Sequence, residues 1–238
     1  MVSEGGLLLI DKPKGWTSHD CVAVMRKRVG LHKIGHAGTL DPFATGLLIL
    51  LIGRKYTSQA EQLQGHDKSY WLRIRLGQST DTQDGEGQVL TSSDVVPTQQ
   101  ALEEALSRFQ GDLLQLPPMF SAKKIDGQKL YNLARKGRVV ERVAHPIRLS
   151  CQLLQFEYPW VELHVDCTKG SYMRTVAHDL GELLGCGAHA SELRRLRSGS
   201  FAVEQAISLE QARDPNWDLT ERLLTEVPYG SSSDDRNL

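Results

Sequence analysis

A glycine-rich run at residues 35–46, set between two apolar segments, constrains this chain more than any other feature. It carries three glycines, one histidine, one carboxylate and one proline. Glycine adopts backbone conformations that other residues resist, while Pro42 fixes its own φ and biases Asp41 toward an extended conformation. The run therefore predicts a rigid bend that points the Asp41 carboxylate in one direction, as a catalytic group requires. The alternative is an ordinary surface turn, because Asp-Pro and glycine-rich runs commonly form turns.

The bulk composition describes a globular protein. With 238 residues, of which 40% are hydrophobic and 24% charged, the chain can form one large domain or two small ones. Its longest apolar run, residues 47–52, is too short to span a bilayer, and no basic stretch typical of a secretory signal opens the chain. The four cysteines form no CxxC pair, which predicts reduced, mostly buried thiols in a cytoplasmic protein and no metal site.

Charge is distributed unevenly along the chain. The net charge of −1 argues against a nucleic-acid partner, because basic proteins are the usual binders. Residues 123–148, however, contain eight Lys or Arg and two acids, whereas residues 204–238 contain eight acids and three Arg. A locally basic segment can bind phosphates even when the total charge is near zero. A solvated loop and helix is the alternative for the basic segment.

Hydrophobic periodicity predicts a mixture of strands and helices. Buried strands are expected at residues 7–10 and 46–52, and alternation predicts a half-buried strand at 69–76. Paired strands are expected at residues 147–156 and 161–167. Helical spacing predicts helices after an N-cap at Ser18, at 56–63, after Pro97, within the basic segment near 130–134, and at 173–184. The irregular alternation of these elements favours an α+β fold with a mixed sheet.

Five stretches, in order and with compatible gaps, resemble the TruB-type family of bacterial tRNA pseudouridine-55 synthases. They are residues 9–15, 35–46, 67–70 with 76–84, 117–131, and 169–175, the last extended by 179–181 and 193–195. The resemblance implies a mixed, mostly antiparallel sheet flanked by helices and loops, with a central active-site cleft. It also implies isomerisation of a T-loop uridine without metal or cofactor, and we expect a monomer that binds the T-arm of tRNA.

The resemblance also implies the catalytic residues. Asp41 matches the catalytic carboxylate, Tyr70 matches a tyrosine that stacks on the uracil near C5, and Arg174 matches an arginine that pairs with the catalytic aspartate. Such an ion pair keeps a carboxylate charged and oriented. From the residues alone, Tyr70 would be interpreted as a core residue and Arg174 as a surface residue at a helix start.

Further positions are expected to bind substrate. By resemblance, Asp84 and Tyr172 contact the flipped base, Leu193 forms an apolar wall, and His36 takes the place that the extruded nucleotide leaves. Lys12 and Pro13 are interpreted as structural support behind the site. The basic segment suggests five candidates for contacts with RNA phosphates: Lys123, Lys124, Lys129, Arg135 and Lys136.

These matches predict a catalytic domain at residues 1–229 with an RNA-binding insertion at about 115–148. A disordered tail is expected at 230–238, with no C-terminal domain of the PUA type. Three alternatives stay open: a synthase that acts on a different RNA uridine, a non-catalytic RNA-binding or RNA-folding module, and a nucleotide enzyme with a phosphate-binding glycine loop. The last lacks the GxxxxGK[ST] and strand-borne GxGxxG patterns.

Overall fold

The computed structural model describes residues 5–121, the backbone of two short strands at 124–125 and 128–129, and residues 140–226. It divides into two compact units, unit 1 with Met1–Tyr70 and Arg194–Leu238, and unit 2 with Trp71–Leu193. Ten of the described strands form one sheet, which is mixed and mostly antiparallel. The predicted α+β fold with a mixed sheet is therefore confirmed.

Unit 1 contains the first apolar strands and the glycine-rich run. Its elements are β1 (Gly6–Lys12), α1 (Ser18–Val29), β2 (Ile34–His36), β3 (Thr45–Ile52), α2 (Arg54–Thr57), α3 (Ala60–Gln64), the start of β4 (Lys68–Leu76), the end of β12 (Ala188–Ser198), β13 (Phe201–Ala202), β14 (Ile207–Ser208) and α6 (Leu209–Arg213). The strands lie in the order β14-β1-β3-β12, with β2 on β3 and β13 on β12. Strand β3 pairs with β1 on one side and β12 on the other, parallel to β12 and antiparallel to β1, so the predicted buried strand at residues 46–52 is confirmed.

The core of unit 1 forms around β1 and β3. The two strands pair from Gly6 with Ile52 to Lys12 with Gly46, and β3 is buried from Gly46 to its last residue. One face of the two strands packs against Tyr56, Leu63 and Phe201. Burial on both faces explains the unbroken apolar sequence of β3, because a half-exposed strand would alternate.

Helix α1 begins one residue earlier than predicted. Its N-cap is Thr17, whose side chain accepts a hydrogen bond from the backbone of Asp20, and Asp20 completes a capping box. The predicted N-cap, Ser18, is wrong because its hydroxyl is bonded instead to the backbone of Leu40. The single helix expected at 56–63 is also wrong, since α2 and α3 are two short helices.

Unit 2 contains most of the remaining strands. Its elements are the rest of β4, β5 (Gln78–Thr80), β6 (Val89–Ser92), α4 (Gln99–Leu106) followed by a 3₁₀ turn (Ser107–Phe109), β7 (Gly111–Gln115), β8 (Lys124–Ile125), β9 (Gln128–Lys129), β10 (His145–Glu157), β11 (Trp160–Cys167), α5 (Met173–Leu183) and the start of β12. Strands β11, β10 and β7 follow β4 in the sheet. The predicted β10–β11 pair and the helices at α4 and α5 are confirmed, whereas the helix expected near 130–134 lies outside the described residues.

Candidate active site

The loop that carries Asp41 joins β2 to β3 in unit 1. Ala37 donates its backbone N–H to Ile49 at 2.9 Å, and Ala44 donates to Asp41 at 3.1 Å, closing a tight turn around Asp41. The Asp41 residue is half-buried. The structure therefore has a bend here, a short segment closed by its own backbone hydrogen bonds, while the direction in which it holds the Asp41 carboxylate stays a prediction.

A buried lysine supports this loop from β1. Lys12 is fully buried, and its Nζ donates to the carbonyls of Trp16 at 2.7 Å, Pro13 at 3.0 Å and Pro42 at 3.4 Å. A buried ammonium is costly unless its protons are hydrogen-bonded, and these carbonyls satisfy it. Because Pro42 directly follows Asp41, the contact confirms the interpretation of Lys12 as support for the loop.

A buried arginine binds the same loop from β12. Arg195 is 1% exposed, and its guanidinium donates to the carbonyls of Leu47 at 2.7 Å, Gly38 at 3.2 Å and Thr39 at 3.5 Å. The planar guanidinium can bind several carbonyls at once in a fixed geometry. Arg195 therefore restrains the segment before Asp41, as Lys12 restrains the segment after it.

Close approach of two backbones explains one glycine of the run. Gly46 has φ of +98°, and a Cβ at this position would lie 2.3 Å from the carbonyl oxygen of Arg195. We expect Gly46→Ala to lower the free energy of unfolding by about 2–5 kcal/mol, because a left-handed residue costs about 1–2 kcal/mol and overpacking about 1–3 kcal/mol. Urea unfolding measures the change.

Gly30→Ala is the matched control for this prediction. Gly30 also has positive φ, at +69°, but a Cβ there would meet nothing within 4 Å. Gly30→Ala should lower the free energy of unfolding by only about 1–2 kcal/mol, the cost of a left-handed backbone conformation. Equal losses in the two variants would contradict the role assigned to the close approach of β3 and β12.

His36 and Tyr70 occupy defined positions in unit 1. His36 ends β2, and burial, followed by the positive charge of Arg195, lowers the pKa of its imidazole from the ordinary value of 6.5. His36 is therefore neutral near pH 7, a form suited to stacking on a base. Tyr70 is 7% exposed and lies near the start of β4. Lys68, the first residue of β4, has a side-chain carbon 4.0 Å from the position that a Cβ at Gly38 would take, so the start of β4 lies beside the glycine-rich run.

In unit 2 the structure brings Arg174 and Asp84 together. Arg174 lies in the first turn of α5, and its Nε is 3.8 Å from the Asp84 carboxylate, with the two side chains 5% and 9% exposed. The guanidinium also donates to the carbonyls of Thr82 at 2.8 Å and Phe120 at 2.6 Å. The expected pairing of Arg174 with Asp41 joins two different units and stays a prediction.

The loop around Asp84 is as closely hydrogen-bonded as the Asp41 loop. The Asp84 carboxylate accepts from the Thr82 hydroxyl at 2.6 Å and from the Glu86 backbone at 3.1 Å. Two backbone hydrogen bonds of 3.0 Å join the loop to Ala190 of β12. The Gly85 N–H donates to the Ala190 carbonyl, and the Ala190 N–H donates to the Gln83 carbonyl. Asp84 is thus a buried, oriented acid and not the solvated loop acid that its polar surroundings suggest.

Gln115 holds the backbone of Tyr172 at the start of α5. Its side-chain oxygen accepts from the Tyr172 N–H at 2.7 Å, and its amide nitrogen donates to the Tyr172 carbonyl at 3.1 Å. Gln115 is buried at the end of β7. Leu193, on β12, is also buried, as expected for an apolar wall. Of the expected substrate-binding residues of unit 2, Leu193 therefore lies in a strand, Tyr172 directly before a helix and Asp84 in a hydrogen-bonded loop.

Sequence reasoning missed the parts played by Arg195 and Gln115. Arg195 was noted only within a matching stretch, because no strand was predicted at residues 188–198. Its signal is the two-residue spacing from Leu193, which places both on one face of a strand. Gln115 has no comparable sequence signal. The side chains of the five expected phosphate contacts, Lys123, Lys124, Lys129, Arg135 and Lys136, lie outside the described residues.

Other features bear on the expected absence of metal and membrane. No three His, Cys, Asp or Glu side chains cluster as a metal site among the residues placed by the structure. Within that part of the chain, no helix has the length and apolar character needed to cross a membrane.

All four cysteines are free and buried, and burial raises the pKa of Cys21 to about 11 and of Cys151 to about 12.

The chain is similar to curated bacterial enzymes over most of its length. It is 52% identical over 203 residues to tRNA pseudouridine synthase B of Protochlamydia amoebophila, covering 85% of this chain and 78% of that protein. It is 47% identical over 215 residues to tRNA pseudouridine synthase B of Chlamydia abortus, covering 90% and 92%.

A solved structure has the same fold. The crystal structure of a Cbf5-Nop10-Gar1 complex contains a chain that matches with a TM-score of 0.68 and 31% identity. The match covers 87% of this chain and 53% of that longer chain, so this chain spans about half of its length.

Two domain families together match residues 26–227 of the chain. The N-terminal domain of the TruB family of pseudouridylate synthases matches residues 26–173. The C-terminal domain of tRNA pseudouridylate synthase B matches residues 174–227, which begin at Arg174. The first match alone covers more than half of the chain and includes both Asp41 and Asp84. The chain therefore belongs to the TruB family of pseudouridylate synthases.

Proposed function

We propose that this chain is a tRNA pseudouridine synthase that converts uridine 55 of the T-loop to pseudouridine, with Asp41 as the catalytic carboxylate. The observation that carries the proposal is the support of the Asp41 loop by two buried cations, Lys12 and Arg195. An enzyme that stabilises a transition state benefits from groups oriented before the substrate arrives. The two relatives above are named for tRNA, and this supports the choice of substrate.

The reaction is an isomerisation. The C1′–N1 bond breaks, the uracil turns, and a C1′–C5 bond forms, while a proton leaves C5 and N1 gains one. A carboxylate suits the step at the sugar, because it can attack as a nucleophile, take a sugar proton, or stabilise positive charge at C1′. Atoms and electrons balance without an oxidant or a reductant.

The other expected residues receive roles around the flipped base. Extrusion of the uridine costs a few kcal/mol, and the neutral imidazole of His36 is suited to fill the place it leaves. Tyr70 stacks on the uracil near C5, and Leu193 forms an apolar wall of the pocket. Arg174 pairs with Asp41 and keeps its carboxylate charged and oriented, while Asp84 and Tyr172 contact the flipped base. Residues 1–229 form the catalytic domain in this proposal, with residues 115–148 as an RNA-binding insertion.

Pseudouridine mapping of total RNA incubated with the purified protein tests the proposal. We expect one strong new site in tRNA, at uridine 55. A dominant site in another RNA would favour a synthase with a different target. RNA binding without any pseudouridine would favour the non-catalytic module and contradict the proposal.

A further inference from the structure

A cluster of exposed basic residues lies beside β2 in unit 1, outside the segments discussed above. We call it the β2 basic patch, and it consists of Arg26, His32, Lys33, Arg54 and Lys55. Arg26 lies in the last turn of α1, His32 and Lys33 precede β2, and the last two residues begin α2.

Contacts within unit 1 fix these three segments together. The Lys33 carbonyl accepts from the backbone N–H of Gly53 at 2.8 Å, which joins the start of β2 to the start of α2. The Arg26 guanidinium donates to the carbonyl of Ile34 at 3.1 Å. A Cβ placed at Gly35 would lie 3.6 Å from the Thr57 methyl group, so α2 packs directly against the glycine-rich run. The patch is therefore a fixed surface of the fold.

The patch takes four positive charges from Arg26, Lys33, Arg54 and Lys55. Within the described part of the chain, none of the five residues forms an ion pair with a carboxylate. Arg28, on another flank of α1, differs because its guanidinium is occupied by the carbonyls of Asp214, Pro215 and Trp217. A cluster of unneutralised cations in a chain of net charge −1 produces a local positive field that attracts phosphates.

The position of the patch relates it to His36. Lys33 directly precedes β2, and His36 is the last residue of β2, so the two residues are three positions or about 10 Å of extended chain apart. That length is comparable with a few nucleotide steps of a nucleic-acid strand. A strand whose flipped nucleotide lies at Asp41, with His36 in the place it leaves, would thus carry its neighbouring phosphates over the patch.

We propose that the β2 basic patch binds backbone phosphates of the substrate RNA within a few nucleotides of the target uridine. The inference rests on the proposed function and adds a second phosphate-binding surface to the basic segment at 123–148. Its chemistry is charge attraction to phosphodiesters, which orients the RNA without reading its sequence.

The test is the salt dependence of binding to a synthetic T-arm hairpin of tRNA. We expect Lys33→Ala/Arg54→Ala to reduce the slope of log affinity against log salt by about 1.4–1.8, because each lost phosphate contact removes about 0.7–0.9. The Kd at 0.1 M salt should rise about tenfold or more. The control is Arg213→Ala/Arg222→Ala in the same unit. It removes one positive charge from α6 and one from the 3₁₀ turn Thr220–Arg222.

The control should keep the wild-type Kd and slope. An unchanged slope in Lys33→Ala/Arg54→Ala, or an equal loss in the control, would overturn the assignment of the patch. Tritium release from the same hairpin, labelled at C5 of its uridines and incubated with the wild-type protein, reports pseudouridine formation and separates the two proposals. Absence of pseudouridine there would overturn the proposed function, whereas pseudouridine formation with an unchanged slope would overturn only the patch.

Discussion

Asp41→Asn should abolish pseudouridine formation while leaving tRNA binding within a few-fold of wild type. The substitution keeps the size and hydrogen-bonding shape of the side chain but removes the negative charge and the nucleophilic oxygen. Loss of a nucleophile can lower turnover by about four to six orders of magnitude, because the remaining binding interactions do not replace its chemistry. Single-turnover assays on a T-arm hairpin, with separate binding titrations, measure the two quantities.

The control for this variant is Asp94→Asn, the same chemical change at an exposed residue outside the matched stretches. It should turn over at the wild-type rate. Turnover near wild type in Asp41→Asn would contradict the catalytic role. Lys12 and Arg195 bind backbone carbonyls of the loop, so we expect Asp41→Asn to fold. A lowered melting temperature in this variant would instead assign the Asp41 side chain to the structure of the loop.

Arg174→Ala should destabilise the protein strongly. It removes the guanidinium that faces the buried Asp84 carboxylate and two hydrogen bonds to the carbonyls of Thr82 and Phe120. Breaking a buried ion pair by removing one partner costs about 3–5 kcal/mol. In a chain of this size the melting temperature should fall by about 6–20 °C, and thermal unfolding measures it.

Two further variants make this prediction specific. Arg148→Ala breaks a pair with Asp112 whose side chains are 67% and 75% exposed, so it should lose far less stability because water screens the charges. Arg174→Lys keeps the charge but not the planar array of donors, and should fall between wild type and Arg174→Ala. Equal melting temperatures for Arg174→Ala and Arg148→Ala would contradict the structural role of the Arg174–Asp84 pair.

Much of the fold follows from local sequence patterns. The apolar run of β3, the alternation of β4 and the amphipathic spacing of α5 predict these elements because their periodicity reports which faces are buried. Helix starts were less predictable. Thr17 and Ser18 both have hydroxyls able to cap α1, and the choice depends on Leu40, a distant residue that binds Ser18.

By itself, the sequence determined the strands of the core, the bend that carries Asp41 and, through its ordered motifs, the family to which the chain belongs. Only the tertiary structure decided how that bend, and separately the start of α5, are supported. Arg195 reaches Gly38 across 157 positions, and Gln115 reaches Tyr172 across 57. Local patterns cannot report such contacts, because a buried cation or amide is stable only where the folded backbone brings unpaired polar groups to it.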